Sequence, residues 1–314
     1  MPNLSLRVST RPAWRSPGMM YAVLVVMWGL VWPAAKIALQ DCPPLLFAGL
    51  RILLSGLALL PWTVRHLHRS QVLVNMVLSI FNVALFFGLQ TVALQRLAPG
   101  LVSILVYVQP VVTALLARWW LHEQLSILKV VGVIVGFAGV GVISSTQLHA
   151  ARVGLWGMVL GLLAGVAWAV GTVAYKRYQA GSNPVQDMGI QLTTGGVLLV
   201  LAGTLHESWG AIHWSGGFVA ALLFTALLGT SLAWVLWSAL LQTGEASRVA
   251  TWTFSVPVLA TLLSVLWLGE RLSSRLWYGG LLVMSAIYLV NTRRFSRSAL
   301  RTKRSAEQSS DAPF

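Results

Sequence analysis

Apolar windows of about 20 residues follow one another along nearly the whole 314-residue chain. A helix needs about 20 residues, at about 1.5 Å each, to cross a hydrocarbon core about 30 Å thick. Helices also satisfy their own backbone polar groups, as a bilayer requires. The pattern therefore predicts an all-α membrane protein of ten transmembrane helices, at residues 18–39, 43–64, 71–94, 98–120, 127–146, 153–175, 184–205, 216–241, 246–268 and 275–291.

The charged residues are few and unevenly distributed. Only 10% of the residues are charged, against about 25% in soluble domains. Sixteen of the 22 Lys and Arg residues fall on the side of the predicted membrane that holds the N-terminus, and four fall on the other side. Because cytoplasmic loops are enriched in Lys and Arg, this bias predicts a multi-pass inner-membrane protein with both termini in the cytoplasm.

The net charge of +14 could also indicate nucleic-acid binding. However, the basic residues lie between and beyond the apolar windows, and they form no patch with interleaved aromatic residues. We therefore expect the lipid bilayer and a small-molecule substrate as partners, and no nucleic acid. The sequence leaves a monomer and a homodimer open.

The two halves of the chain resemble each other. Trp28 and Lys36 share the pattern W-x7-K with Trp168 and Lys176, and the residue numbers of each matched pair differ by 140. The pattern P-x9-W-L-x-E-x-L-S begins at Pro110 and again at Pro257, where the offset is 147. Two units of five helices, an odd number, would enter the membrane from opposite faces. Such inverted repeats are a hallmark of transporters, because two symmetric halves can open a central site to each side in turn.

The repeat defines the expected domains. Residues 18–146 are predicted to form the first five-helix repeat, and residues 152–291 the second. Residues 1–17 are predicted to be a cytoplasmic tail. Residues 292–314 are polar and basic without apolar periodicity, which predicts a disordered cytoplasmic tail.

These repeated segments also carry a family resemblance. The stretch W-G-x3-P-x2-K from Trp28 to Lys36, the run from Pro43 to Arg51, and the E-x-L-S endings of both halves resemble EamA-type members of the drug/metabolite transporter superfamily. The resemblance covers residues 18–291. It implies a ten-helix, two-repeat fold that exports small metabolites, often amino acids, without ATP hydrolysis. YddG-like amino acid exporters are one subgroup of that family, and these residues do not select among the subgroups.

Lys36 and Arg51 are the cations placed within predicted spans. A charge in a membrane normally faces a cavity or a partner, which makes both residues candidates for substrate binding. Lys36 is near a helix end and could instead reach the interface, and Arg51 could instead form a structural pair. No Asp, Glu or His lies in the middle of a predicted span, which favours facilitated diffusion or exchange over proton coupling.

Other polar and aromatic residues fall near mid-span. Pro110 and Pro257 remove backbone donors there and free nearby carbonyl groups. Asn82 and Gln109 could face a cavity or simply bond between helices, and the tryptophans could line a cavity or face lipid. The complete set of predicted substrate-binding residues is Trp28, Lys36, Arg51, Asn82, Tyr107, Gln109, Trp168, Thr230, Trp234 and Trp252.

The sequence thus predicts an alternating-access transporter that exports small metabolites, with amino acids as the expected substrates. One alternative is an efflux pump for lipophilic cations, although such substrates would favour a buried anion that the spans lack. Another is a membrane scaffold, which would leave the repeat unexplained. An enzyme is not expected, because the sequence has no Walker A motif, no metal-ligand cluster and no clustered His, Asp or Glu at one membrane face. No cofactor is expected either.

Overall fold

The computed structural model describes residues 17–64, 69–97, 99–148, 155–268, 274–275 and 277–291, and these residues form helices without a strand. Both predicted tails, except for Pro17, and Glu270 lie outside the described residues. The continuous helices are α1 (Pro17–Asp41), α2 (Pro44–Thr63), α5 (Ile127–Leu148), α6 (Leu155–Tyr178), α7 (Pro184–His206) and α10 (Trp277–Asn291). A 3₁₀ turn at Trp209–Ala211 follows α7.

Four further helices change their winding part of the way along. Helix α3 comprises Arg69–Ser79, a π-helical segment Ile80–Leu85, and Phe86–Arg96, and α8 comprises Gly216–Ala226, a π-helical segment Leu227–Leu232, and Ala233–Thr243. Helix α4 comprises Pro99–Val106 and Gln109–Trp120, and α9 comprises Ala246–Thr251, a 3₁₀ segment Trp252–Phe254, and Ser255–Leu268.

Six of these helices are long and apolar enough to cross a membrane: α1, α2, α3, α6, α7 and α8. Their apolar length confirms that the chain is an all-α, multi-pass membrane protein. We call the end of the bundle where α1 begins the near end, and the opposite end the far end. By the Lys and Arg bias, the near end is the predicted cytoplasmic side.

The irregular segments repeat between the halves. The π-helical segments begin at Ile80 and Leu227, which are related by the offset of 147. The breaks in α4 and α9 precede Pro110 and Pro257, which are related by the same offset. Proline has no N–H to close the usual bond to the residue four positions earlier, so the winding changes at both sites. The changes in helical winding therefore follow the same repeat between the two halves that the sequence predicted.

Helices α2 and α7 pack at a crossing that repeats itself under the offset of 140. A Cβ atom added to Gly56 would collide with Thr193 N, and one added to Gly196 would lie 2.5 Å from Leu53 N. The offset of 140 converts each of these contacts into the other. Such reciprocal contacts arise where a two-fold axis passes between two equivalent helices.

The same helices run in opposite directions. Further toward the far end, a Cβ atom added to Gly49 would lie 2.7 Å from Val200 N, and one added to Gly203 would lie 3.0 Å from Leu46 N. Residue numbers therefore fall along α7 as they rise along α2. Equivalent helices of the two halves are antiparallel, which is the arrangement of an inverted repeat.

Carboxylates hold helix starts at both ends of the bundle. At the near end, Glu123 accepts hydrogen bonds from Ala246 N and Ser247 Oγ, both at 2.6 Å. At the far end, Glu207 accepts hydrogen bonds from Leu45 N at 3.0 Å and Leu46 N at 2.8 Å. A carboxylate at a helix start satisfies otherwise unpaired N–H groups. Glu123 thus joins the end of α4 to the start of α9.

Candidate functional site

A small cavity lies in the middle of the bundle, where α1, α2, α3, α4, α6 and α8 meet. Its volume is about 40 Å³, far below the roughly 300 Å³ or more of typical ligand sites. All of its lining residues are buried. They are Trp28, Val31, Trp32, Arg51, Phe86, Phe87, Gln90, Val106, Tyr107, Trp168 and Trp234.

The aromatic side chains of this cavity lie on the two-fold axis. Trp28 and Trp168, which are equivalent at the offset of 140, meet edge to face with ring centroids 5.4 Å apart. Phe87 and Trp234, which are equivalent at the offset of 147, also have ring centroids 5.4 Å apart. A residue can touch its own equivalent only close to the axis. The cavity is therefore shared by both halves, which is where an inverted-repeat carrier places its substrate.

Arg51 brings a positive charge to this aromatic cavity. Its side chain is 3% exposed, its Nε donates to Thr230 Oγ1 at 2.9 Å, and its Cζ lies 5.0 Å from the centroid of the Phe87 ring. Within the described part of the chain, the ion pairs are those of Glu245 with Lys129 and Arg248, and Arg51 has none. A hydroxyl and a ring face stabilise the guanidinium only partly, so the site is suited to an anionic group.

Trp168 adds a second donor to the wall. Its Nε1 is buried and has no hydrogen-bond partner among the described residues. A buried donor without a partner carries a desolvation cost of about 1–3 kcal/mol, which a bound acceptor would relieve. Arg51 and Trp168 are therefore two donor residues in the lining of one cavity.

The structure brings together part of the predicted set of binding residues. Trp28, Arg51, Tyr107, Trp168 and Trp234 line the cavity, and Thr230 bonds to Arg51. The sequence did not predict the six other lining residues, which are Val31, Trp32, Phe86, Phe87, Gln90 and Val106. The offset of 147 from Trp234 would have identified Phe87.

The Lys36 side chain, on α1, contacts the end of α3. Its Nζ donates to Leu94 O at 3.5 Å, near the end of α3. Its equivalent at the offset of 140, Lys176, donates to Leu241 O at 2.6 Å, near the end of α8, and Leu241 is the equivalent of Leu94 at the offset of 147. A cation there satisfies terminal carbonyl groups and complements the helix dipole. The structure thus gives Lys36 a structural contact that both halves repeat, away from the cavity lining.

Gln109 and Trp252 also lie outside the lining of the central cavity. Gln109 Nε2 donates to Thr113 Oγ1 at 2.9 Å, and Gln109 Oε1 has no partner among the described residues. Trp252 stacks on Tyr21 with ring centroids 4.6 Å apart. This pair faces a second cavity of about 650 Å³ at the near end, which we call the vestibule. Its lining residues are Pro17, Gly18, Tyr21, Gln124, Ser126, Lys129, Thr243, Gly244, Glu245, Arg248, Val249, Trp252 and Asn291.

Asn82 belongs to a buried chain of amides that leads to the near end. Asn82 Nδ2 donates to Gln191 Oε1 at 3.0 Å, and Gln191 Nε2 donates to Asn75 Oδ1 at 2.8 Å. Asn75 Nδ2 then donates to Asp187 Oδ1 at 2.9 Å. An ionised carboxylate can only accept, so Asp187 fixes the direction of every amide in the chain. The other end is an acceptor, Asn82 Oδ1, without a partner among the described residues.

We expect Asp187→Asn to destabilise the protein by about 1–3 kcal/mol, because an unsatisfied buried donor costs that much. Asp187 accepts hydrogen bonds from Asn75, from Tyr175 OH at 2.9 Å and from Ser182 Oγ. An amide offers one oxygen, so at least one of these donors would face an NH2 group. Thermal unfolding in detergent would measure the loss.

Asp41→Asn is the matched control for this measurement. Asp41 Oδ2 accepts one side-chain hydrogen bond, from Ser215 Oγ at 2.5 Å, in an exposed position. We expect it to shift the unfolding temperature much less than Asp187→Asn. Equal shifts for the two variants would contradict the role given to Asp187 in ordering the amide chain.

The described residues offer no catalytic or metal centre. They contain no group of three His, Cys, Asp or Glu side chains that could hold a metal ion. Cys42 lies between α1 and α2, and burial, with Glu207 and Asp41 nearby, raises the pKa of its thiol to about 12. The thiol therefore stays protonated at neutral pH and is a poor nucleophile.

A central cavity on the axis of two antiparallel halves is the arrangement typical of membrane transporters. Residues 16–145 and 155–292 each match the EamA-like transporter family, and the chain belongs to that family. This membership confirms the resemblance found in the repeated segments.

Several proteins are similar over most of the chain. The uncharacterized transporter YvbV of Bacillus subtilis is 38% identical over 90% of this chain and 93% of its own length. Proteins of Salmonella typhimurium and Escherichia coli, each named a probable amino-acid metabolite efflux pump, are 27% and 26% identical over 88% of this chain and 94% of their own lengths. One solved crystal structure, 18% identical, covers 89% of this chain and 98% of its own with a TM-score of 0.75, which supports the fold.

Proposed function

We propose that this protein is an alternating-access carrier that exports small organic carboxylates, with amino acids as the first class to test. In this proposal ten helices cross the inner membrane, and both termini lie in the cytoplasm. Transport proceeds by facilitated diffusion or exchange. The observation that carries the proposal is Arg51, a buried cation that lines an aromatic cavity and has no ion pair among the described residues.

A carboxylate is the complement of this site. The Arg51 guanidinium and the Trp168 Nε1 group can donate to the same anion, and charge-assisted hydrogen bonds of this kind are strong. The rings of Trp28, Phe86 and Trp234 would surround the rest of the molecule. Those ring faces also suit the α-ammonium group of an amino acid. Two relatives named as amino-acid metabolite efflux pumps support this substrate class.

The second candidate is export of lipophilic cations, which the aromatic rings alone would favour. Arg51 opposes it, because a bound cation would meet a like charge in a small cavity with buried walls. The lining residues of the cavity include no Asp or Glu to offset that repulsion. The two candidates therefore differ in the sign of the charge that the central cavity accepts.

Counterflow in proteoliposomes separates the two candidates. We expect vesicles preloaded with L-phenylalanine to take up radiolabelled L-phenylalanine saturably without a pH gradient, and protein-free vesicles to take up none. We expect 3-phenylpropionate, which keeps the carboxylate, to compete, and 2-phenylethylamine, which keeps only the ammonium, not to compete. The reverse order of competition would favour the cation exporter.

Two further outcomes would overturn parts of the proposal. If no member of a panel of amino acids shows counterflow, amino acids are not the substrates. If uptake requires a pH gradient, the transport is proton-coupled, and facilitated diffusion is wrong.

A further inference from the structure

The vestibule has a charged wall that the central site does not explain. Lys129 on α5 and Arg248 on α9 both contact one carboxylate oxygen, Glu245 Oε2, at 2.8 Å from Lys129 Nζ and 2.6 Å from Arg248 Nε. These three are the charged residues among the described lining of the vestibule. Two cations thus share a single carboxylate, which leaves an excess positive charge facing a cavity of about 650 Å³.

The three side chains differ in how far they are buried. The side chain of Lys129 is 5% exposed and that of Arg248 is 18% exposed, whereas that of Glu245 is 40% exposed. Lys129 is held further by a hydrogen bond from its Nζ to Gln124 O at 2.9 Å. The cations are therefore fixed in the wall, and Glu245 has the most exposed side chain of the three, although the Oε2 atom that contacts both cations is buried. A dissolved carboxylate could take the place of Glu245 once this side chain turns toward the solvent, while both cations stay in the wall.

We propose that the vestibule is a docking site for carboxylates, in which Lys129 and Arg248 bind the anion and Glu245 is a built-in competitor for them. The inference rests on the proposed function in one respect, since it takes the docked anion to be the substrate that later reaches Arg51. The stacked Tyr21 and Trp252 rings also line this cavity and offer an apolar surface to the rest of the molecule.

The role of Glu245 separates this proposal from a structural ion pair. If the three residues only tie α5 to α9, replacing a cation and replacing the carboxylate break the same contact and act in the same direction. If Glu245 competes with a bound anion, the two changes act in opposite directions. Lys129→Gln would weaken carboxylate binding, and Glu245→Gln would strengthen it.

Equilibrium dialysis of radiolabelled 3-phenylpropionate against purified protein in detergent tests this sign. The measurement uses the full chain with Arg51→Gln, so that the central cation does not contribute. In this background we expect Lys129→Gln to raise Kd at least about tenfold, equivalent to losing one charged contact, and Glu245→Gln to lower Kd severalfold. Arg118→Gln is the control, because Arg118 is an exposed near-end cation outside the vestibule lining, and its Kd should not change.

Each result decides the proposal. It is overturned if the Arg51→Gln protein does not bind 3-phenylpropionate, if Lys129→Gln leaves Kd unchanged, or if Glu245→Gln raises Kd together with Lys129→Gln. If amino acids show counterflow but the Kd changes of Lys129→Gln and Glu245→Gln do not have the expected directions, this inference is wrong and the proposed function stands. If the Kd changes have the expected directions but no amino acid shows counterflow, the vestibule binds carboxylates and amino acids are not the substrates.

Discussion

Replacing Arg51 by Ala or Gln is expected to lower L-phenylalanine counterflow by at least about 30-fold while leaving the protein folded. The loss of one partner from a buried, hydrogen-bonded charge pair costs about 2–5 kcal/mol, and each 1.4 kcal/mol is about a factor of ten in affinity. A water molecule that entered the space left by the side chain would supply hydrogen bonds to a substrate carboxylate but no positive charge.

The fold should tolerate this change because Arg51 has no ion pair to lose within the described part of the chain. Its removal relieves the cost of a buried charge, which offsets the lost hydrogen bond to Thr230. Arg51→Lys should fall between wild type and Gln, since it keeps the charge and loses the planar fork.

The Arg51 variants are measured beside Arg96→Gln, which removes an exposed cation at the end of α3. Counterflow at matched protein content, with thermal unfolding of each sample, separates lost transport from lost folding. If folded Arg51→Ala protein transported L-phenylalanine at the wild-type rate, the assignment of Arg51 to the substrate site would be wrong.

The second large effect is expected at the crossing of α2 and α7, where Gly56→Val and Gly196→Val should each prevent recovery of monodisperse protein. The nearest atoms to the added Cβ are backbone atoms, Thr193 N for Gly56 and Leu53 N, at 2.5 Å, for Gly196. No rotamer change can relieve such a contact, so the helices would have to separate. Overpacking of a fitted core costs about 1–3 kcal/mol or more, and separation adds lost packing between the halves.

Gly141→Val is the matched control, because a Cβ atom at Gly141 on α5 meets nothing within 4 Å. Size-exclusion profiles of fluorescent fusions would compare the three variants. The two-fold relation further requires that Gly56→Val and Gly196→Val behave alike. If either variant were as well behaved as Gly141→Val, the close packing of α2 on α7 would be wrong.

The sequence predicted the features that depend on position along the chain. Apolar length indicated the helices, and the offsets of 140 and 147 indicated the two halves, because equivalent residues must keep their spacing to fold alike. The direction in which each side chain points could not be predicted in this way. Lys36 and Arg51 both lie within predicted spans, yet one bonds to the end of α3 and the other lines the cavity.

The π-helical segments set the direction of several lining residues that the sequence did not predict. A π-helical segment inserts about one extra residue, which turns the following helix by about 100° relative to regular α-helical periodicity. Phe86, Phe87 and Gln90 all follow the segment Ile80–Leu85 and point into the cavity. Asn82 lies within the segment and joins the amide chain instead. The segment Ile80–Leu85 contains no proline or glycine that would have marked it in the sequence, and the segment Leu227–Leu232 contains one glycine, Gly229.

The two-fold relation also bears on which way the empty carrier rests. If the halves were identical, the two end states would exchange the conformations of the halves and would have equal free energy, so each would be populated equally. Where equivalent positions of the two halves carry different residues, the two end states no longer have equal free energy. Arg51 and Gln191, which are related by the offset of 140, are such a pair. The resting orientation should therefore be adjustable by substitutions at mismatched equivalents that never touch the substrate.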